Sequence, residues 1–305
     1  MPLKSGLPRR VRVVEVGPRD GLQNQPEAIA AADKIGWIER LAAAGLEEIE
    51  GTAFVHPKWV PQLADAAEVG AKLPELVARP SALVPNRAGL DRALDAGLNR
   101  IALFTAASET FCQKNTNCSI DESLDRFAEV FAAIADRGTR TWVRGYVSTC
   151  FGCPYEGDVA VDTVVRVTEQ LLQLGVDEIA ISDTIGTATP AQVERVIERT
   201  ASVAALEQLA LHFHDTRGLA LVNVWAGLRL GVTTFDAAAG GLGGCPYAPG
   251  ASGNLATEDL IYFLDSLGID TGVDLQKLVA ATLWFEQRCN ATFPGRVLAS
   301  QRPAQ

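Results

Sequence analysis

The sequence predicts an α/β protein built as a (β/α)8 barrel, and three observations lead to that prediction. Short apolar segments, typical of parallel strands buried on both faces, alternate with amphipathic helical segments along the chain. A glycine-led pentapeptide occurs four times where a helical segment gives way to a strand, beginning at Gly45, Gly97, Gly175 and Gly231. Glycine easily adopts the left-handed conformation that ends helices, so each pentapeptide indicates an α-to-β connection. Eight such β-then-α units in about 270 residues are typical of a closed barrel.

The alternative is a doubly wound open sheet. The first strand-to-helix turn argues against it, because residues 17–21 lack the glycine spacing of a dinucleotide-binding fingerprint. In a barrel, polar functional groups are expected where the strands end and the following loops begin.

Each element is predicted from a short apolar run or from helical periodicity. The strands are expected at 11–16, 46–54, 81–85, 100–105, 141–148, 178–183, 209–214 and 234–239. Ser119 and Glu122 form a capping box that predicts the start of a long amphipathic helix. Thr189, followed by Pro190, predicts a second helix start of the same kind.

Composition narrows the class of protein. The chain has 305 residues, with 27 Lys and Arg against 37 Asp and Glu, so its net charge is −10. This charge argues against binding to nucleic acids or to anionic membranes. No apolar run approaches the ~20 residues that a membrane-spanning helix needs. The six cysteines are few and unevenly spaced, which indicates reduced thiols and a cytoplasmic protein. We expect one catalytic domain over residues 1–305, with a helical extension at about 270–305.

His212 and His214 form the strongest local signal for a functional site, because the whole chain has only 3 histidines. Residues at i and i+2 of a strand point to the same face, so both imidazoles are expected to face the barrel interior. Two imidazoles on one face at a strand end are natural ligands for a divalent metal. The alternative is a pair of hydrogen-bonded core histidines.

Three carboxylates also lie at predicted strand ends. Asp20 follows the first strand beside Arg19, Glu50 lies near the end of the second, and Asp183 ends the sixth. Alone, each has an ordinary interpretation as a solvated residue or a turn cap. In a barrel, however, they would all share one mouth with the histidines, and active sites lie at that mouth.

The segment after the eighth strand, 240–254, is rich in glycine and is expected to approach a ligand closely and to act as a lid. Cys245 lies within this segment. Its thiol is expected to act as an acid, a base or a nucleophile, and the alternative is an inert thiol. Asn254 is the last residue of this segment. It is expected to be either an oxygen ligand or the N-cap of a helix over 255–267. The CxxC spacing of Cys150 and Cys153 is a weaker signal, since it does not open a helix of a thioredoxin-like unit.

Several of these segments resemble the 3-hydroxy-3-methylglutaryl-CoA lyase family, part of the DRE-TIM metallolyases. Residues 14–24 read Val-Glu-Val-Gly-Pro-Arg-Asp-Gly-Leu-Gln-Asn and resemble the first signature of that family. Residues 241–248 and 250–254 resemble its cysteine loop, and 183–186 and 212–216 match further motifs. The similarity runs from about Val11 to Val279.

The resemblance implies a metal-dependent barrel that splits an acyl-CoA substrate into acetyl-CoA and acetoacetate, in leucine catabolism. By resemblance, Mg²⁺ or Mn²⁺ would be held by Asp20, His212, His214 and Asn254. Arg19 would stabilise the thioester oxygen, Glu50 and Asp183 would be active-site carboxylates, and Cys245 would be a mobile acid or base. Substrate contacts are predicted at Gln23, Arg144 and Arg217, and the protein is expected to form a homo-oligomer.

The sequence also departs from the family pattern. Arg217 stands where an aromatic residue is usual, His56 where serine is expected, and the C-terminal cysteine motif is missing. The acyl chain of the substrate therefore stays open. The alternatives are a lyase for another 3-hydroxyacyl-CoA, a condensing acyltransferase of the same superfamily, and an inactive barrel used in assembly.

Overall fold

The computed structural model describes residues 6–23, 25–138, 140–244 and 253–302. Eight parallel strands form a closed barrel in chain order, in which β1 pairs with both β2 and β8. The strands are β1 Arg12–Glu15, β2 Glu48–Ala53, β3 Arg79–Leu83, β4 Arg100–Ala106, β5 Trp142–Ser148, β6 Glu178–Asp183, β7 Leu209–Phe213 and β8 Thr234–Ala237. The (β/α)8 prediction is confirmed, and each predicted strand overlaps the observed one.

Helices surround the barrel. They are α1 Ala31–Ala43, α2 Ala66–Leu76, α3 Arg87–Asp95, α4 Glu109–Thr116, α5 Ile120–Arg137, α6 Val161–Leu174, α7 Pro190–Thr200, α8 Ala220–Arg229, α9 Thr257–Ser266, α10 Leu275–Cys289 and α11 Arg296–Ser300. A single π-helical turn, Gly17–Gly21, follows β1, and a 3-10 turn, Ala239–Gly241, follows β8. Within the described residues, no helix is both long and apolar enough to span a bilayer.

The local signals in the sequence work as expected. Gly45, Gly97, Gly175 and Gly231 all have positive φ, between 83° and 104°, so each ends a helix before a strand. Ser119 and Thr189 both cap their helices with the predicted capping boxes. These interactions depend on residues within one turn of each other, so they need no tertiary information.

Side chains along β7 point alternately outward, into the core between the strands and the helices, and inward, into the barrel. Leu209 and Leu211 join the large apolar cluster beneath the helices, whereas Ala210 belongs to a separate cluster inside the barrel. His212 follows Ala210 at the i+2 position and therefore also faces inward, towards the mouth.

The interior is charged at one end and apolar in the middle. At the amino-terminal end of the strands, Glu48 binds Arg12 and Arg100 while Glu178 binds Arg12 and Arg144. A small apolar layer above them includes Ala102, Ala180 and Ala210. This filling places the site at the opposite, carboxyl end of the strands, as barrels require.

The C-terminal segment packs back on the barrel. The rings of Trp37 in α1 and Phe285 in α10 stack with their centroids 4.0 Å apart. Of the two interpretations of Asn254, the N-cap of the following helix does not agree with the structure. Helix α9 begins at Thr257 with Ala256 as its N-cap residue, and the Asn254 side chain turns towards the barrel mouth instead.

Candidate active site and metal centre

Three predicted metal ligands meet at the mouth of the barrel. Asp20 comes from the π-helical turn after β1, and His212 and His214 come from the end of β7. One ligand atom from each lies within 4.8 Å of the other two. The two histidines are each 6% exposed, and Asp20 is half-buried where it lines the cavity. The sequence prediction that distant segments converge here is therefore supported by the geometry.

Asn254 completes this arrangement. Its Nδ2 donates hydrogen bonds to Asp20 Oδ2 at 2.8 Å and to the Leu242 carbonyl at 2.9 Å. Its Oδ1, together with His214 Nδ1, is buried and has no hydrogen-bond partner in the described part of the chain. Buried polar atoms are normally satisfied, so these two unpaired atoms indicate that a ligand belongs at this position. The donor set of carboxylate, imidazole and amide oxygen fits a divalent cation.

The charges in the cluster suit a cation as well. Burial alone would raise the pKa of Asp20, but the charge of Arg19, helped by the two histidines, lowers it to about 2. Asp20 is therefore a carboxylate at neutral pH. Burial and the neighbouring His212 lower the pKa of His214 to about 4, which keeps its imidazole neutral. A neutral imidazole is the form that binds metals.

Arg19 lies against this cluster and is 5% exposed. Its Nη1 donates to Asp20 Oδ1 at 2.7 Å, its Nε donates to Glu50, and its guanidinium lies 5.3 Å from the centre of the Tyr146 ring. Burial alone would lower the pKa of Arg19, but Glu50 and Asp20 more than offset this and raise it. A permanent, desolvated cation thus stands beside the metal centre.

Glu50 lies beneath Arg19 rather than in the open mouth. Its side chain is almost fully buried, and its Oε2 accepts a hydrogen bond of 3.1 Å from the Tyr146 hydroxyl while Oε1 accepts from Arg19. Glu50 therefore holds the guanidinium in place from below.

Known proteins are similar to this chain over most of its length. The family model described as HMGL-like matches residues 10–283. The hydroxymethylglutaryl-CoA lyase YngG of Bacillus subtilis is 49% identical over 292 residues, covering 95% of this chain and 97% of the relative. The chain belongs to the HMGL-like family.

Other HMGL-like proteins extend the similarity. A Pseudomonas aeruginosa relative, named 3-hydroxy-3-isohexenylglutaryl-CoA/hydroxy-methylglutaryl-CoA lyase, is 50% identical over 279 residues, covering 90% of this chain and 91% of its own. The crystal structure of the Bacillus subtilis HMG-CoA lyase has a TM-score of 0.92 at 47% identity, covering 98% of this chain and 99% of that one. An Acinetobacter baumannii HMG-CoA lyase, solved with coenzyme A and 3-methylmalate, has a TM-score of 0.91 at 38% identity, with 97% of each chain covered.

Asp183, which the HMGL-like resemblance nominated, does not line the open cavity. Asp183 uses both carboxylate oxygens to accept backbone N–H groups of Thr187 and Ala188, each at 2.9 Å. Burial raises its pKa, and the geometry is that of a turn cap, the ordinary alternative for this position.

The prediction that Arg144 binds substrate does not agree with the structure. Arg144 lies inside the barrel, is 2% exposed, and pairs with Asp236 at 2.6 Å and with Glu178 at 3.1 Å. Arg144 lies on β5 four residues before its carboxyl end, so the apolar layer and Tyr146 separate it from the mouth. Its guanidinium is committed to the ion pairs of the interior.

The remaining predicted substrate contacts lie at the edge of the site. Gln23 lines the cavity and donates from Nε2 to Asp20 Oδ1 at 3.0 Å. Arg217 lies exposed on the rim, where its Nη1 donates to the carbonyls of Ile185 and Gly186 at 3.0 Å each. Cys245 and most of its loop lie outside the described residues.

The cysteine pair of the CxxC segment is buried and reduced. Cys150 donates to the Val147 carbonyl, and Cys153 lies 3.0 Å from the Ser108 hydroxyl, so neither sulfur is bonded to the other. This agrees with a structural role for both.

Sequence analysis missed most of the cavity wall. The missed part of the wall includes Trp59, Val60, Phe104, Phe111, Tyr146, Ser148, Ser182 and Thr184. Tyr146 and Ser148 lie at alternate positions of β5, as His212 and His214 do across β7 and its end. If the two-residue alternation had been applied to every strand, it would have predicted that Tyr146 and Ser148 face the barrel interior.

Proposed function

We propose that this protein is a divalent-metal-dependent carbon–carbon lyase that cleaves 3-hydroxy-3-methylglutaryl-CoA to acetyl-CoA and acetoacetate. The observation that carries the proposal is the buried meeting of Asp20, His212, His214 and Asn254 directly beside the buried cation of Arg19. Relatives of this name at about half identity, matched over nearly their whole length, support the same reaction.

The proposed ligands are Asp20, His212, His214 and Asn254, and the proposed metal is Mg²⁺ or Mn²⁺. Two oxygen and two imidazole donors suit such a cation better than a soft metal, which prefers thiolates. When bound, the cation would lower the pKa of the substrate hydroxyl and so make its deprotonation accessible near neutral pH.

Arg19 is the proposed electrostatic catalyst. Cleavage of the carbon–carbon bond leaves negative charge on the thioester carbonyl oxygen, as an enolate. A fixed guanidinium stabilises that charge with little reorganisation, since Glu50 and Asp20 already hold it from two sides. Glu50 thereby acts through Arg19, and we propose it as a positioning residue.

Two proton transfers complete the reaction. The substrate hydroxyl loses a proton, and the acetyl fragment gains one before acetyl-CoA leaves. We propose that Asp20 and Cys245 carry these transfers, with the order still open. Asp183, which caps the loop after β6, is proposed to position that edge of the site rather than to meet the substrate.

The proposed partner is an acyl-CoA, contacted by Gln23 at the cavity wall and by Arg217 on the rim. We also propose a cytoplasmic homo-oligomer in which residues 1–305 form one domain, with α10 and α11 as the C-terminal extension. A place in leucine catabolism stays a prediction.

The second candidate function is cleavage of a 3-hydroxyacyl-CoA that has a longer acyl chain. The Pseudomonas aeruginosa relative is named for an isohexenyl substrate as well as for the methyl one. In this chain Trp59 lines the cavity and is 84% exposed, so a longer acyl chain that extends past the rim would meet its apolar ring.

The test is a panel of 3-hydroxyacyl-CoA substrates, each with Mg²⁺ and with EDTA. We expect acetoacetate and acetyl-CoA from the methyl substrate, loss of turnover in EDTA, and recovery on adding Mg²⁺ or Mn²⁺. A higher kcat/KM with a longer chain would favour the second candidate. Turnover that is unaffected by EDTA, or no product from any substrate, would reject the proposed function.

A further inference from the structure

A buried carboxylate outside the predicted site touches one of its histidines. Asp236 lies on β8 directly opposite His212 of β7 and is 1% exposed. Its Oδ2 lies 3.1 Å from His212 Nδ1. We propose that Asp236 is a positioning residue for the metal centre, which fixes the orientation and tautomer of the His212 imidazole. This inference rests on the proposed metal-dependent function.

The hydrogen bond determines which imidazole nitrogen meets a cation. A carboxylate oxygen only accepts hydrogen bonds, so the proton of the His212 ring lies on Nδ1. Nε2 is then left with its lone pair, on the side of the ring away from Asp236. Metal-binding histidines commonly donate their other ring N–H to a carboxylate in this way.

Asp236 is itself held in place from the opposite side. Its Oδ1 accepts a hydrogen bond of 2.6 Å from Arg144 Nη2, so each oxygen of the carboxylate has a different partner. Arg144 also forms an ion pair of 3.1 Å with Glu178, which in turn binds Arg12. A carboxylate fixed at both oxygens cannot rotate without breaking a buried charged contact, so it holds the imidazole ring rigidly.

A second chain of contacts connects the same arginine to Asp20. Arg144 Nη1 lies 3.4 Å from the Tyr146 hydroxyl, which donates to Glu50, and Glu50 binds Arg19 next to Asp20. The Tyr146 ring also meets the His212 ring edge-on, with centroids 6.2 Å apart. One buried network thus supports both His212 and Asp20. This explains why Arg144 is buried, although the sequence suggested a substrate contact.

The experiment compares Mn²⁺ binding to the metal-free wild-type protein and to two variants, by calorimetric titration. Asp236→Asn keeps the size of the side chain but weakens the hold on the imidazole, and we expect Mn²⁺ to bind roughly 10–100-fold more weakly. Glu178→Gln is the matched control, because it perturbs the same Arg144 from its other side, and the described ion pairs of Glu178 are with Arg144 and Arg12 rather than with His212. Its Mn²⁺ affinity should equal that of the wild type, even if its Tm falls.

The outcomes separate the two proposals. Equal Mn²⁺ affinity for Asp236→Asn and the wild type, or equal weakening in both variants, would overturn the role of Asp236. Failure of the wild type to bind Mn²⁺ would overturn the metal-dependent function, and this inference with it.

A measurement on the wild type covers the case in which Asp236→Asn does not fold. With ¹⁵N-labelled histidine, the chain gives three imidazole systems, so His212 can be assigned by NMR. We expect the neutral His212 ring to carry its proton on Nδ1. A proton on Nε2 would overturn the inference.

Discussion

Glu15 connects the two segments that carry the proposed ligands Asp20 and Asn254. Its carboxylate is fully buried at the end of β1, where Oε1 accepts the N–H of Gly17 at 2.7 Å and of Ala239 at 2.9 Å. Its Oε2 accepts the Thr257 hydroxyl at 2.6 Å. One side chain therefore connects the turn of Arg19, the start of the glycine-rich segment and the first residue of α9.

Burial sets the charge of this carboxyl. Desolvation raises the pKa of Glu15 from 4.5 to about 8, despite the hydrogen bonds that lower it. The folded protein therefore keeps a proton that the unfolded chain releases between these two pH values. Because the folded state binds more protons there, the free energy of unfolding falls as the pH rises.

The size of this effect follows from the two pKa values. One pKa unit corresponds to about 1.4 kcal/mol, so the Glu15 contribution should fall by about 3 kcal/mol between pH 5 and pH 7.5. Glu15→Gln removes this loss, since an uncharged amide of similar shape still accepts the two N–H groups and can donate to the Thr257 hydroxyl. The variant should gain stability over the wild type as the pH rises.

The measurement is urea unfolding of both proteins at several pH values across this range. Glu75→Gln is the control, because Glu75 is a highly exposed carboxylate whose removal leaves the interior unchanged. We expect its pH profile to parallel that of the wild type. If the profile of Glu15→Gln is also parallel, Glu15 is ionised in the folded protein and the reasoning from burial is wrong.

Three further predictions concern the site. Arg19→Lys should lower kcat by roughly 10²–10³-fold in steady-state assays, because an ammonium keeps the charge but not the fixed geometry of the guanidinium, and an unchanged kcat would refute its role. Asn254→Ala should weaken Mn²⁺ binding in calorimetric titrations because the unpaired Oδ1 is lost, and an unchanged affinity would remove Asn254 from the ligand set. Arg217→Ala should raise KM with little change in kcat; an unchanged KM would limit Arg217 to supporting the carbonyls of Ile185 and Gly186.

The parts of the fold that were predictable depend on short-range chemistry. A glycine such as Gly175 ends a helix through its own backbone freedom, and the capping box of Ser119 needs only a residue three positions away. Inward-facing positions follow from alternation within one strand, which is why His212 and His214 could be paired in advance. Each of these signals is complete within a few residues.

The roles that the sequence left open or misplaced depend on a partner that is far away in the chain. The sequence suggested that Arg144 contacts the substrate, but its guanidinium forms an ion pair with Asp236, which lies 92 residues later in the chain. Asn254 precedes a helix and so has the pattern of a cap, yet its amide binds Asp20, 234 residues earlier.

By itself, the sequence determined the barrel, the places where its helices and strands end, and the meeting of Asp20, His212 and His214 at its mouth. The hydrophobic period, the positions of the glycines and the residue types at the strand ends are all local features of the sequence. These local features are enough to predict the fold and the ends of its elements. Only the tertiary structure decided how the buried charges are paired, since a desolvated charge takes the nearest partner in space, however distant in the chain. That pairing separates the residues that face the cavity from those, such as Asp236, that hold them in place.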